Sequence, residues 1–317
     1  MYFSRIRLRP EFFRNTQLNK VLSESAYNIH RLLWDLFPAQ KQRCFLYREE
    51  IAREQLGIRA DVRGEPIYYL VSSSRPLSEN PIFKIETKEY HPKLQEGDRL
   101  NFQLRANPVV TQKIDRENPE LYLKEREFRE VANKNKLTKK RVRHDVVMDA
   151  QRTFLRNLCD ELHLLSHLSS FPEKSEFKKI LLTYGDQPLN NQLTKFLNED
   201  FRYAERLRQK MGLRDKLEWS LKAVVDSALY NWLEIKGKSH GFELSQDHNK
   251  QVKLQNSAYR WHELPKKTAK TTKSGFSSVD FVGDLRVTDI KEFTKVLFEG
   301  IGRSKAFGCG LMLVRRI

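Results

Sequence analysis

The sequence predicts an α+β fold, built from two small strand-and-helix units with a run of helices set into the second. Three observations carry this. Residues 2–9 (YFSRIRLR) alternate apolar and polar side chains with the two-residue period of a half-exposed strand, and three more short strand-like runs follow before residue 95. The same kind of pattern returns at 98–110, 252–264 and 276–287. Between these pieces, residues 150–233 are rich in Leu, Lys, Glu, Asp, Gln and Asn at helical spacing.

In the first unit, the strand at 2–9 leads to a helix over about 22–37 (LSESAYNIHRLLWDLF). Pro38 closes it, because proline has no N–H to continue the ladder. CFLYR (44–48), PIYYLVSSS (66–74) and IFKIETKEY (82–90) read as strands, the last after Pro76 and a short turn. This order, β-α-β-β-(short)-β, resembles a ferredoxin-like split unit. A second such unit starts with DRLNFQLRANPVV (98–110) and resumes with VKLQNSAYRWHEL (252–264) and FSSVDFVGDLRV (276–287). The helix TDIKEFTKVLFEG follows, with Thr288 and Asp289 as N-cap candidates and Gly300 and Gly302 as its stop, before a terminal strand LMLVRR. Breaks at FPEKS (171–175) and YGDQP (184–188) divide the helical stretch. PKKTAKTTKSG (265–275) reads as a linker or as the tip of a long hairpin.

Composition narrows the partners. Lys and Arg number 58 against 41 Asp and Glu, for a formal charge of +17. Because long apolar runs accompany this excess, it belongs to a folded protein with a cationic face, and the expected partner is a polyanion such as nucleic acid. Cys44, Cys159 and Cys309 are widely separated, so neither a disulfide framework nor a structural zinc site is expected. No apolar run approaches the ~20 residues of a membrane span. The N-terminus has no uninterrupted apolar stretch either, so a reducing cytoplasm is the expected location and no membrane partner is expected.

Three basic segments supply phosphate-contact candidates. In KNKLTKKRVR (134–143), Lys134, Lys136, Lys139, Lys140, Arg141 and Arg143 occur with no acidic residue among them. KKTAKTTK (266–273) contributes Lys266, Lys267, Lys270 and Lys273. The third is GIGRSKAFGCG (300–310), which holds four of the 13 glycines together with Arg303 and Lys305. Its lysine follows a serine rather than a glycine, a poor fit to a nucleotide P-loop.

On a helical wheel, Ala26, Ile29, Leu32, Leu33 and Leu36 share one arc that would face the core. Tyr27, His30 and Trp34 form an adjoining stripe, with His30 at its border and Arg31 just beyond Tyr27. An imidazole there, beside a phenol and a guanidinium, can titrate near neutrality and touch a phosphate. The same position suits a boundary histidine that only packs. His163 and His167 have the spacing of a helical metal pair but no acidic third ligand nearby. The sequence has no GxSxG or HExxH motif, and no metal or cofactor is expected.

At this point the segments resemble a known family. GIGRSKAFGCGLM is similar to the glycine-rich loop of repeat-associated CRISPR proteins. MYFSRIRL, the helix motif Tyr27-x-x-His30-Arg31 and LNFQLRANPVVTQK (100–113) narrow the resemblance to the CasE-type endoribonucleases of the type I-E Cascade complex. VDFVGDLRVTD is similar to the family's segment just before the glycine loop, and the match covers about residues 1–148 and 225–317. The resemblance implies two tandem ferredoxin-like (βαββαβ) domains, 1–94 and 95–317, with a helical insertion at about 150–222 in the second. It also implies a metal-independent RNase that cuts CRISPR precursor RNA at the 3′ base of the repeat stem-loop. Such an enzyme leaves a 2′,3′-cyclic phosphate and a 5′-hydroxyl, and stays with the guide RNA among the other Cascade subunits.

By the family's motif, His30 falls on the catalytic histidine and Tyr27 on its aromatic partner, with Arg31 as the nearest cation in sequence. The lysines at 266–273 fall near the basic hairpin that relatives place against the RNA stem, and residues 134–143 match another basic segment of the family. Some relatives carry a lysine one turn beyond the histidine; this chain has Asp35, which leaves the cation that stabilises the transition state open. The helical stretch has no counterpart in compact members, and its nearly balanced charge favours a protein contact or a packing role. Two further readings stand beside the enzyme: a non-catalytic RNA-hairpin-binding subunit of the same fold, and an architectural protein that binds duplexes generally.

Overall fold

Alternation decides the first sheet. In β1 (Tyr2–Leu8), Ser4, Ile6 and Leu8 turn inward while Arg5 faces solvent, as the two-residue period requires. Helix α1 (Ala26–Trp34) and strands β2 (Phe45–Ile51), β3 (Pro66–Ser72) and β4 (Phe83–Glu89) follow. The four strands form an antiparallel sheet in the order β2-β3-β1-β4, that of a ferredoxin-like unit. The computed structural model describes residues 1–12, 26–51, 66–115, 139–208, 211–247, 251–264 and 275–317.

One face of this sheet packs under α1. Ile6, Ile29, Leu33, Phe45, Tyr47 and Tyr68 belong to that core. The helix stops at Trp34, short of the expected residue 37. Its last turn tightens, with Leu36 N–H donating to Leu33 O at 3.3 Å and Phe37 N–H to Trp34 O at 2.8 Å, and Pro38 has no N–H to carry it on. The expected start at residues 22–25 lies outside the described residues. On the opposite face, Leu46 and Val71 pack with Leu311 and Phe298 from the end of the chain.

Downstream, the elements run β5 (Arg99–Ala106), β6 (Val109–Asp115), β7 (Lys139–Asp145), α2 (Val146–Glu161), α3 (Lys174–Tyr184), α4 (Asp186–Glu199), α5 (Phe201–Ala204) and α6 (Leu213–Ser239). They continue as β8 (Phe242–Leu244), β9 (Leu254–Glu263), β10 (Gly275–Val287), α7 (Ile290–Glu299) and β11 (Met312–Arg316). The second sheet has the order β11-β5-β10-β8, with β9 also on β10. Counting β5, β8, β10 and β11 as first to fourth gives the same fourth-first-third-second arrangement.

Of the two N-cap candidates for α7, Asp289 serves: its side chain accepts from Glu292 N–H at 3.0 Å. Gly300 ends the helix at φ 73°, a left-handed conformation that favours glycine. The run at 98–110, expected as one strand, divides at Asn107-Pro108 into β5 and β6, which belong to different sheets. Proline removes a ladder donor there.

Two compact units result, Met1–Pro108 with Leu233–Ile317 and Val109–Trp232. Among its described residues the second is helical apart from the β6–β7 pair. Its core is a leucine-rich cluster that includes Leu155, Phe177, Leu181, Leu193, Leu217 and Leu221.

Candidate functional site

Helix α1 sets His30 at the border of its buried face, between Ile29 (3% exposed) and the exposed Arg31. The partly buried imidazole sits among three rings: Trp34 edge-on at 5.6 Å between centroids, Phe45 at 5.4 Å, and Tyr47 at 6.4 Å and 22° from parallel. Its Nδ1 is buried and has no hydrogen-bond partner among the described residues. Burial, reinforced by the positive charge of Arg43, holds the imidazole below the ordinary histidine range. A neutral imidazole at pH 7 is a proton acceptor.

The glycine loop comes to this histidine from the far end of the chain. Gly300, Gly302, Gly308 and Gly310 all have positive φ, and so does Ser304 at 57°. Ile301 N–H donates to Gly310 O at 2.9 Å, closing the loop on itself. A Cβ on Gly310 would lie 2.8 Å from Ile301 O, so only glycine fits that crossing. Within the loop, Lys305–Phe307 form a short 3-10 turn that packs on α1 and β2. The Tyr47 hydroxyl donates to Ala306 O at 3.4 Å, and a Cβ on Gly308 would meet the Tyr47 ring at 3.3 Å. Lys305 is partly buried; burial and then the charge of Arg43 lower its pKa, and Glu299 opposes them. Arg303 is exposed.

The FQLRANP segment holds the loop in place. Arg105 grips Asp280 with Nε at 2.9 Å and Nη2 at 3.0 Å, and its Nη1 donates to Glu49 O at 3.1 Å. Its own carbonyl accepts from Gly310 N–H at 2.7 Å. Asn107 donates from Nδ2 to Ser304 Oγ at 2.7 Å. Sequence reasoning gave neither residue a role, although an Asn-Pro break at the end of an alternating run marks a place where side chains turn to other work. His262, which has no sequence partner, stacks on Phe276 at 4.6 Å, and Phe276 stacks on Phe307 of the loop at 5.1 Å. Its Nε2 pairs with Ser278 Oγ at 2.8 Å.

A second basic surface lies on the two-stranded β6–β7 sheet. Lys139, Arg141 and Arg143 alternate on its exposed side, and Arg141 stands directly opposite Lys113. Like charges facing each other across a ladder repel, so this pairing is unfavourable until an anion covers it. Lys139 has a carboxylate nearby, Asp115 at 3.9 Å. Lys140 occupies the other side, in line with Val142 and His144.

The remaining predicted residues sort as follows. Tyr27 lies on α1, but its side chain is outside the described residues, as are Lys134, Lys136, Lys266, Lys267, Lys270 and Lys273. Arg31 lines a surface pocket with Asn28, Leu32, Trp34 and Asp35, to which His30 does not contribute. His163 and His167 share no helix: α2 ends at Glu161, His163 takes φ 57°, and His167 stacks on Tyr184 at 4.7 Å. Among the described residues no group of three or more His, Cys, Asp or Glu is arranged to hold a metal ion, and no helix is long and apolar enough to cross a membrane.

Solved structures share this fold at low identity. CRISPR endoribonuclease Cse3 bound to a 19 nt RNA matches at 17% identity and a TM-score of 0.52, over 99% of this chain and 100% of that one. A CRISPR-associated protein from Thermus thermophilus gives 17% identity and 0.51, over 99% and 100% of the two chains. Thermus thermophilus Cse3 bound to an RNA representing a pre-cleavage complex gives 17% and 0.50, over 99% and 98%. No curated protein matches the sequence. The family described as CRISPR associated protein matches residues 1–316, and the chain belongs to that family.

Proposed function

We propose that the chain is a CasE-type endoribonuclease that cleaves CRISPR precursor RNA within the repeat stem-loop and stays with the product as a Cascade subunit. The observation that carries this reading is the partly buried His30, set in an aromatic cage against which the glycine loop packs. The fold shared with Cse3 structures that contain RNA supports the substrate class.

RNA brings its own nucleophile, the 2′-hydroxyl. As O2′ bonds to phosphorus, the bond from phosphorus to O5′ breaks, giving a 2′,3′-cyclic phosphate and a 5′-hydroxyl. One proton leaves O2′ and one reaches O5′, so the step balances without a redox partner or a metal. His30 takes part as the proton-transfer group, accepting from O2′ in the neutral state that its burial favours. Tyr27, one turn earlier on α1, orients the reacting groups, and Arg31 contacts the RNA beside them. Arg303, Lys305, the exposed face of β7 and the lysines at 266–273 hold phosphates, which supplies affinity and register rather than base reading.

The alternative, a subunit that binds the hairpin without cutting it, draws on Asp35 standing where some relatives carry a lysine. Incubating purified protein with repeat RNA in EDTA separates the two. The enzyme gives one discrete cut with a cyclic phosphate end, and His30→Ala abolishes it while binding persists. Intact RNA with the wild-type protein, or wild-type cutting by His30→Ala, overturns the proposal.

A further inference from the structure

We infer that the surface pocket on α1 binds the base of an unpaired nucleotide beside the cleaved bond, and that Asp35 reads that base. This inference rests on the reading above that His30 works on RNA. It adds where a flanking base goes and which side chain recognises it.

Helical geometry makes the pocket. Asn28, Arg31, Leu32 and Asp35 recur at the three- and four-residue intervals that align along one stripe of a helix. Asp35 N–H donates to Arg31 O at 3.3 Å, so the stripe keeps its register through the last turn. With Trp34 these residues line a cavity of about 300 Å³, at the small end of the range for ligand sites.

Two of the walls are fixed from behind. Leu32 and Trp34 are partly buried and pack against the core under the first sheet. The Trp34 indole meets Phe45 edge-on at 6.0 Å and His30 edge-on at 5.6 Å. It is therefore the partition between the pocket and the imidazole. One side chain separates a ligand in the pocket from His30, which suits a base belonging to a nucleotide that flanks the reacting phosphate.

The lining selects the chemistry. The Asp35 carboxylate disfavours a phosphate here, as do two apolar walls. A carboxylate only accepts hydrogen bonds and the guanidinium of Arg31 only donates them. Both are exposed side chains one turn apart, and together they suit a neutral ring that offers donors next to acceptors and packs on an indole. Guanine fits best: N1–H and N2–H lie together for the carboxylate, while O6 and N7 accept from arginine. A duplex occupies N1–H and N2–H, so the base must be unpaired. Where this chain has Asp35, some relatives carry a lysine, which has no acceptor to offer. The exchange therefore changes which base the pocket takes.

The test uses repeat stem-loop RNAs in which the nucleotides on either side of the cut are replaced in turn by G, A, C, U and inosine. Inosine is guanosine without its N2 amino group. Wild type and Asp35→Ala cleave each RNA under single-turnover conditions, and affinity is measured on the same RNAs with a 2′-deoxy nucleotide at the cut. Wild type is expected to prefer guanine at one of the two positions by about 10- to 100-fold, the scale of one bidentate base contact, with inosine intermediate. Asp35→Ala is expected to bring the guanine RNA down to the level of the others, with its melting temperature unchanged.

A wild type without base preference at either position overturns the pocket. So does a preference that survives in Asp35→Ala, including a loss spread evenly over all the RNAs, which would make Asp35 only a structural residue. RNA that stays intact, with a guanine preference in affinity that Asp35→Ala removes, overturns the cleavage reading and leaves the pocket standing.

Discussion

The ring of Tyr47 lies 6.4 Å from the imidazole of His30 and 22° from parallel to it. Its hydroxyl donates at the same time to Ala306 in the glycine loop. One strand residue thereby joins a helix near residue 30 to a loop near residue 306. The ring matters more than the hydroxyl for holding this arrangement, because it is buried and the hydrogen bond is long.

Substituting Tyr47 should separate these contributions. Tyr47→Phe loses one hydrogen bond, about 1 kcal/mol at most for a bond of this length, and retains cleavage. Tyr47→Ala empties a buried ring site and should cost about 3–5 kcal/mol. Urea unfolding checks both values. A Tyr47→Phe protein as unstable as Tyr47→Ala would show the hydroxyl, rather than the ring, to be the main support.

A second prediction concerns the loop crossing. Gly310 takes φ 94° with Ile301 O 2.8 Å from where a Cβ would stand, whereas Gly97 takes φ 90° with open space around it. Gly310→Ala combines backbone strain with a clash and should cost more than the 1–3 kcal/mol scale of strain alone, whereas Gly97→Ala stays at or below about that figure. Only Gly310→Ala should slow RNA cleavage. Equal melting temperatures for the two variants would mean that the loop yields around the new methyl group.

Much of this fold is legible in the sequence because its strands are amphipathic. The β1 alternation and the α1 arc of Ile29 and Leu33 place the first sheet and its helix directly. His30 is legible as a border residue for the same reason. Asn107 is not, because it owes its place to Ser304, far along the chain, in a loop whose path depends on four positive-φ glycines. A wheel or an alternation records only neighbours on one element. The divided run at 98–110 was hidden similarly: its apolar alternation continues across Pro108, while the backbone pairing does not.

The facing cations on β6–β7 give a third prediction with opposite signs. Arg141→Ala removes like-charge repulsion against Lys113, so the free protein should gain a few tenths of a kcal/mol or stay unchanged. RNA affinity should fall, and the slope of log K against log salt should shrink by about 1 for one lost phosphate contact. Thermal melting and a salt titration of hairpin binding measure the two effects. An unchanged salt slope removes this face from the RNA footprint.

The last prediction follows from two depressed histidines. Burial, with Arg43 for His30 and Arg260 for His262, keeps both imidazoles below the ordinary range in the folded protein. The unfolded chain protonates them at about 6.5, so below that pH it binds more protons than the folded state. Their contribution is therefore fully present above the unfolded value and is lost as pH falls through the folded pKa. Carboxylates held low by hydrogen bonds, Glu86 by Arg5 and Asp98 chiefly by the Gln95 N–H and then by Arg316, lose their share only in more acidic solution. Comparing variants isolates the histidines: wild-type urea midpoints should drop between pH 7 and 5, and His30→Gln and His262→Gln should each flatten that drop. A drop of the same size in both variants would assign the acid sensitivity to other groups.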